Sequence, residues 1–123
     1  MTTLEREFNG YISKEGNMAK FLIEVAYTAE GLRGLQKDKA SGRKKAVTKV
    51  MRSLGGKIDS FYFCLGERDA VIIADMPDAS SAVALSVAVS ASGLVRTKLT
   101  ELLTIEETDR ALAKKVKYRA PGA

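Results

Sequence analysis

The residues Lys57–Asp78, KIDSFYFCLGERDAVIIADMPD, decide the fold that the sequence predicts. Apolar and aromatic side chains dominate Lys57–Leu65 and then Ala70–Met76, as is typical of strands. The four residues between them, GERD at 66–69, have the glycine and the charged residues of a turn. Two strands joined so closely pair as an antiparallel hairpin. The proline and aspartate that follow end the second strand and can cap a helix.

Upstream of this hairpin, the sequence predicts one strand and one long amphipathic helix. Ala19–Tyr27 alternates as a strand with apolar residues on both faces. Thr28 can cap a short turn, and the polar residues 36–42 predict a loop with Ser41 as the helix N-cap. Gly42–Leu54 has apolar residues at helical spacing. The cations assigned to its opposite, solvated face are Arg43, Lys44, Lys45, Lys49 and Arg52.

Downstream of the hairpin, a helix, a strand and a final helix are predicted. Ala79–Ala91 is a helix of small residues that can pack closely on a sheet. Val95–Leu103 alternates as a strand, and Thr104–Glu107 has the spacing of a capping box. The last helix is therefore expected to run from there to about Val116.

The order strand–helix–strand–strand–helix–strand predicts an α+β protein with the ferredoxin-like βαββαβ fold. Its four-stranded antiparallel sheet carries two helices on one face, and the last helix is additional. Apolar residues occur on both faces of the first three strands, so the second face needs a cover. We expect a second copy to supply it, sheet to sheet, in a homodimer or higher even oligomer with a barrel-like interior.

Residues 1–17 lack a sustained periodicity and are interpreted as a flexible or partner-ordered N-terminal extension, with the domain over 18–123. The 123 residues are 46% hydrophobic and 28% charged, as in a single folded domain. No apolar stretch has the length of a signal peptide core or a membrane span, which predicts a cytoplasmic protein without a membrane partner.

The amino-acid counts exclude several kinds of chemistry. Histidine is absent, which removes Ser-His-Asp triads, Cys-His pairs and histidine-ligated zinc or haem. The single cysteine, Cys64, has no base nearby in the sequence and reads as an inert buried thiol. Glu67 and Asp69 are the only carboxylates that suggest a metal site, and nothing else converges on them. The sequence therefore predicts no metal and no cofactor.

Three stretches together resemble the GYD domain family, whose members are dimeric α/β barrels of ferredoxin-like fold. They are KFLIEVAYTAEGLRGL, SLGGKIDSFYFCLGERDAVIIADMPD and ASGLVRTKLTELLTIEETDRALAKKVKYRAPGA, and they span essentially Met18 to the end. The motif that names the family has a tyrosine before the aspartate of the hairpin turn, and Arg68 stands there instead. The resemblance implies the fold and a paired assembly, and no activity follows from it.

Candidate ligand-binding residues lie at the hairpin turn, where Glu67, Arg68 and Asp69 could form a polar cluster at the mouth of a barrel. Ordinary turn chemistry explains the same residues, because an aspartate accepts hydrogen bonds from backbone amides in such turns. Arg96 and Lys98 share one face of the fourth strand and could bind an anion inside a pocket. A solvent-exposed face, or pairing with a glutamate, explains them equally.

Tyr27 and Tyr62 could line a cavity with their hydroxyls, although packing in the core or at an interface is the alternative. The leading functional hypothesis is a small oligomeric domain that binds a small acidic or aromatic ligand in its interior. The alternative is a cofactor-independent, oxygenase-like enzyme, by analogy of fold alone. Residues 33–57 contain nine cations and one acid, but no aromatic residues alternate with them, which does not favour nucleic acid.

Overall fold

Four antiparallel strands and three helices make up residues 18–123, the part of the chain that the computed structural model describes. The predicted extension over 1–17 lies outside the described residues. The strands are β1 (Ala19–Tyr27), β2 (Lys57–Phe63), β3 (Ala70–Met76) and β4 (Val95–Leu102). The helices are α1 (Ala29–Ser53), α2 (Ala79–Ala91) and α3 (Ile105–Ala113). The predicted ferredoxin-like order with a further C-terminal helix is confirmed.

The sheet has the order β2-β3-β1-β4, so that β1 and β3 are central and β2 and β4 are edges. Along β1, Phe21, Ile23 and Val25 are buried and face α1 and α2. Met51 of α1 and Leu85 of α2 complete this core from the helix layer. The alternation predicted for β1 is therefore correct, and its odd-numbered residues point to the helices.

The opposite side of the sheet, which we call the open face, consists of Lys20, Leu22, Glu24 and Ala26 of β1 and the residues paired beside them. Leu22 pairs with Ile73 at its centre, and both side chains are half-buried. At one end, the Nζ of Lys20 lies 2.9 Å from Asp75 and 3.0 Å from Asp59. The open face thus has an apolar middle with charged groups beside it.

Helix α1 corrects the loop that the sequence predicted over residues 36–42. The helix begins after Thr28, whose hydroxyl accepts from the amide of Gly31, and continues to Ser53 with one non-helical residue, Lys39. Lys39 has φ 67°, so the chain turns there within one residue and Ser41 is not the N-cap. The predicted interruption is thus present as a kink between two helical segments, whereas the rest of residues 36–42 is helical and does not form a loop.

Strand β2 is shorter than predicted and contains an irregularity. It ends at Phe63, because the next two residues belong to the turn. A register shift between Ile58 and Ser60 moves Ile58 to the face of Phe61, away from that of Tyr62. Strict alternation had placed Ile58 with Tyr62, and a one-residue bulge cannot be seen in that alternation.

The C-terminal elements also end earlier than predicted. Strand β4 stops at Leu102, and α3 stops at Ala113 rather than near Val116. The predicted capping box is present, since Thr104 and Glu107 exchange side-chain and backbone hydrogen bonds. Within residues 18–123, no helix combines the length and the apolar character needed to cross a bilayer.

Candidate ligand pocket

A cavity of about 80 Å³ lies between the sheet and the helix layer. Ile23 and Val25 of β1 form part of its floor, while Val47 of α1 and Leu85 and Val89 of α2 form part of its roof. A single water needs roughly 10–15 Å³ by this kind of measure. The space can therefore accept a small organic group, and its lining is predominantly apolar.

Arg43 of α1 is the charged residue of this lining. Its Nε is buried and has no hydrogen-bond partner among the residues that the structure describes. The nearest carboxylate, Asp38, lies 3.8 Å from Nη1, and the Arg43 side chain is 29% exposed. A buried guanidinium donor without an acceptor is costly, so an oxygen atom brought to it by a ligand would gain a charge-assisted hydrogen bond.

Two hydroxyl groups add polarity to the same cavity. Ser86 of α2 and Thr97 of β4 are hydrogen-bonded to each other, and both line the space. Only one of the two hydroxyls can donate in that bond, which leaves the other hydrogen for a second acceptor. The cavity therefore offers an apolar body with polar contacts at Arg43 and at this hydroxyl pair.

A groove of about 260 Å³ adjoins the cavity and opens toward solvent. The first half of α1 contributes Gly34, Leu35 and Asp38 to it, and Tyr27 and Arg43 line both spaces. A Cβ atom built on Gly34 meets nothing within 4 Å. Arg43 thus sits where the interior cavity meets its path to the surface.

Among the residues that the sequence nominated, Tyr27 is the one that lines this cavity. Its backbone amide donates to the Oδ2 of Asp69 at 2.8 Å, so Asp69 ties the hairpin turn to the end of β1. The amide of Asp69 in turn donates to the carbonyl of Val25. Asp69 therefore binds a backbone amide, as the turn-chemistry interpretation expects of an aspartate, but that amide belongs to β1 and lies outside the turn.

The turn itself is held by backbone geometry. Gly66 has φ 119°, a conformation that side chains rarely adopt. The amide of Cys64 donates to the carbonyl of Asp69, and its thiol donates to that of Arg68 at 3.3 Å. Glu67 is exposed. The conformation of the turn is thus set by Gly66 and Asp69. The side chain of Arg68 has no part in it and extends toward Glu24.

The family model described as the GYD domain matches residues 21–112, which is three quarters of the chain. The chain belongs to the GYD domain family. No curated protein and no solved structure matches it. The suspected family is therefore confirmed, and the match runs from the first buried residue of β1 to Leu112, one residue before the end of α3.

In this GYD domain, the remaining nominated residues lie on the open face, away from the cavity. Arg96 and Lys98 are exposed there, opposite Ala26 and Glu24 of β1. Tyr62 pairs with Val71 on the same face and is 68% exposed. The Nε of Arg68, at the position of the family's tyrosine, lies 3.9 Å from Glu24. The structure thus separates Tyr62 from Tyr27 by the thickness of the sheet.

Arg43 is the residue that sequence reasoning misplaced. It had been assigned to the solvated face of the helix with its neighbouring lysines, yet it lines the interior of the GYD domain. The signal was its spacing, because Arg43, Val47 and Val50 follow one another at i, i+4 and i+7. A cation in line with an apolar stripe points inward, and a period count over the whole helix would have found it.

Among the described residues, no cluster of three or more potential metal-ligating side chains occurs.

Proposed function

We propose that this GYD domain binds a small carboxylic acid with an apolar, aromatic-sized body in the cavity between sheet and helices. The carboxylate accepts hydrogen bonds from Arg43, and the body lies among Ile23, Val47 and Leu85. The observation that carries the proposal is the buried Nε of Arg43, which has no acceptor within the described residues.

The acid function follows from the balance of charges at the cavity. Arg43 supplies a full positive charge, and Asp38 approaches only its outer nitrogen, at 3.8 Å. A neutral ligand would leave that cation incompletely paired in an apolar surrounding. A carboxylate matches the fork of the guanidinium in shape and charge, and such bonds contribute about 1.5–3 kcal/mol.

The experiment uses benzoate as the acid and benzyl alcohol as its neutral counterpart. Amide chemical shifts of the labelled full chain are followed while each compound is added. We expect benzoate to move the signals of Tyr27, Ser86 and Thr97. We expect benzyl alcohol to bind roughly tenfold more weakly or worse, as the loss of a charge-assisted hydrogen bond requires.

Two matched variants of α1 test the role of the guanidinium. Arg43→Met removes the charge from the cavity, whereas Arg52→Met removes the same charge outside its lining. Benzoate should lose its advantage over benzyl alcohol in the first variant and keep it in the second. Shift changes spread over the surface, or equal benzoate affinity in both variants, would show that the cavity is not the site.

Pairing of two copies through the open face remains part of this proposal. Leu22 and Ile73 support it, because they are apolar residues at the centre of a face that neither α1 nor α2 covers. In such a pair, Arg96 and Lys98 would face the space between the sheets. Ile73→Lys should then raise the dimer dissociation constant in sedimentation equilibrium. The oxygenase-like alternative stays a hypothesis, since no arrangement of side chains within residues 18–123 favours it over binding.

A further inference from the structure

Helix α3 is an amphipathic helix whose apolar side is left exposed. Ile105 and Leu112, at i and i+7, share this side and are each 77% exposed, and no residue of α3 is buried. The helix has nine residues, and a peptide of that length is marginally helical in water. A helix this short needs a surface to pack against.

A groove of about 430 Å³ lies along the outer side of edge strand β2, between β2 and the second half of α1. Ile58 and Phe61 form an apolar part of its lining. Its cations are Lys44, Arg52 and Lys57, and its single carboxylate, Asp59, is paired with Lys20. The groove therefore combines an apolar lining with an excess of positive charge.

The start of α3 cannot lie in the groove of its own copy. Leu102, where β4 ends, is in the same row of the sheet as Lys57, where β2 begins, with Asp75 and Lys20 between them. Three strand spacings of 4.7–4.9 Å separate the two ends by about 14 Å. The three residues from Leu102 to Ile105 span at most about 11 Å.

We propose that α3 of one copy docks in the groove beside β2 of a second copy, and that the exchange is reciprocal. Ile105 and Leu112 pack against the apolar lining, and the acidic residues Glu106 and Asp109 face its cations. The charges are complementary, because α3 has three acids and one base while the groove has three bases and one acid already paired. A two-fold axis would place each α3 helix in the groove of the other copy, so that the two contacts are identical. This inference goes beyond ligand binding and does not depend on it.

Charge reversal on each side tests the docking in the full chain, with the dimer dissociation constant measured by sedimentation equilibrium. The groove variant is Lys44→Glu with Arg52→Glu, and the α3 variant is Glu106→Lys with Asp109→Lys. Each should raise the dissociation constant about tenfold or more, because like charges then meet at the interface. The variant with all four changes should return to within about threefold of the natural sequence.

The control variant, Lys45→Glu with Lys49→Glu, makes the same charge change on the same helix outside the groove lining. It should leave the dissociation constant unchanged. A chain that is monomeric at 100 μM would overturn the proposal. So would a variant with all four charge reversals that associates no better than the groove variant or the α3 variant alone. Dissociation by Ile73→Lys, with no response to either charge reversal, would assign the dimer to the open face alone. None of these variants should change benzoate binding, which keeps the two proposals separable.

A pair of introduced cysteines tests directly whether α3 lies in the groove of the second copy. In a Cys64→Ser background, Thr48→Cys places a thiol on the groove, and Thr108→Cys places one on α3, one turn before Leu112. Mild oxidation should link two chains, which a non-reducing gel separates from a single linked chain. A link within one chain, or none, would contradict exchange between copies.

Discussion

Gly31 is expected to be intolerant of a side chain, because α1 begins in direct contact with the backbone at the start of β4. A Cβ atom built on Gly31 would meet the carbonyl oxygen of Leu94 far inside the 3.0 Å that Cβ atoms keep from other atoms. That oxygen accepts from the amide of Thr28 at 2.9 Å and from its hydroxyl at 3.2 Å. Gly31→Ala must therefore separate α1 from β4 and weaken both bonds.

The magnitude follows from these contacts. Overpacking costs about 1–3 kcal/mol, and each weakened hydrogen bond contributes about 1 kcal/mol. Alanine returns at most about 1 kcal/mol through its helix propensity. We expect Gly31→Ala to lower the free energy of unfolding by about 2 kcal/mol. Gly34→Ala, three residues later with no atom within 4 Å of its Cβ, should raise it by roughly 0.5–1 kcal/mol.

Urea unfolding followed by circular dichroism measures both variants against the natural sequence. With an m-value of about 1.5 kcal/mol per molar, Gly31→Ala lowers the midpoint by more than about 1 M, and Gly34→Ala raises it slightly. Equal midpoints for the two alanine variants would refute the close approach of α1 to Leu94. A loss of stability in Gly34→Ala would show that the groove beside α1 is filled.

Three further outcomes are expected. Asp69→Ala removes the acceptor of the Tyr27 amide and should cost about 1–3 kcal/mol, with faster hydrogen exchange at that amide, whereas Asp69→Asn should retain most of the protection. Hydrogen bonds from the Ser81 side chain, its amide and the Ser80 hydroxyl hold the pKa of Asp78, the α2 N-cap, below its usual 3.8. The stability that the Asp78 carboxylate contributes is therefore present above about pH 4 and is lost as the pH falls below that. Asp78→Asn should lose less of its free energy of unfolding than the natural sequence does over the same fall in pH. The carboxylates of Asp75 and Asp59 raise the pKa of Lys20 above 10.5, so its contribution is complete below pH 10.5 and lost as the pH rises through the raised value. Lys20→Gln should flatten the alkaline decline in stability.

The order of the elements could be predicted because several of their boundaries carry a local chemical signal. Asp78 caps α2 through the amide of Ser81, and the box at Thr104 and Glu107 begins α3. Gly55 and Gly93 take positive φ after the helices that they follow. The partners in each of these interactions are within four residues of each other along the chain, so the local sequence is enough to predict them.

The parts that could not be predicted depend on contacts between distant residues. The sequence predicts an interruption over residues 36–42, but it does not mark Lys39 as the single residue that takes a positive φ, because neither glycine nor proline stands there. The bulge before Ser60 is visible only against the register of β3. The cavity itself arises where α1, α2 and the sheet fail to fill the space between them, a property of their separation that no single segment encodes.

The turn that names the family and the cavity are connected through backbone rather than through the substituted side chain. Gly66 and Asp69 hold the hairpin and the Tyr27 amide, and Tyr27 lines the cavity. Arg68, in place of the tyrosine, reaches Glu24 on the opposite face of the sheet. Replacing that residue therefore alters the open face and leaves the cavity wall intact. The proposed ligand binding at Arg43 and the proposed pairing of the sheets can therefore be tested by separate variants, because Arg43 and the open-face side chains lie on opposite sides of the β-sheet.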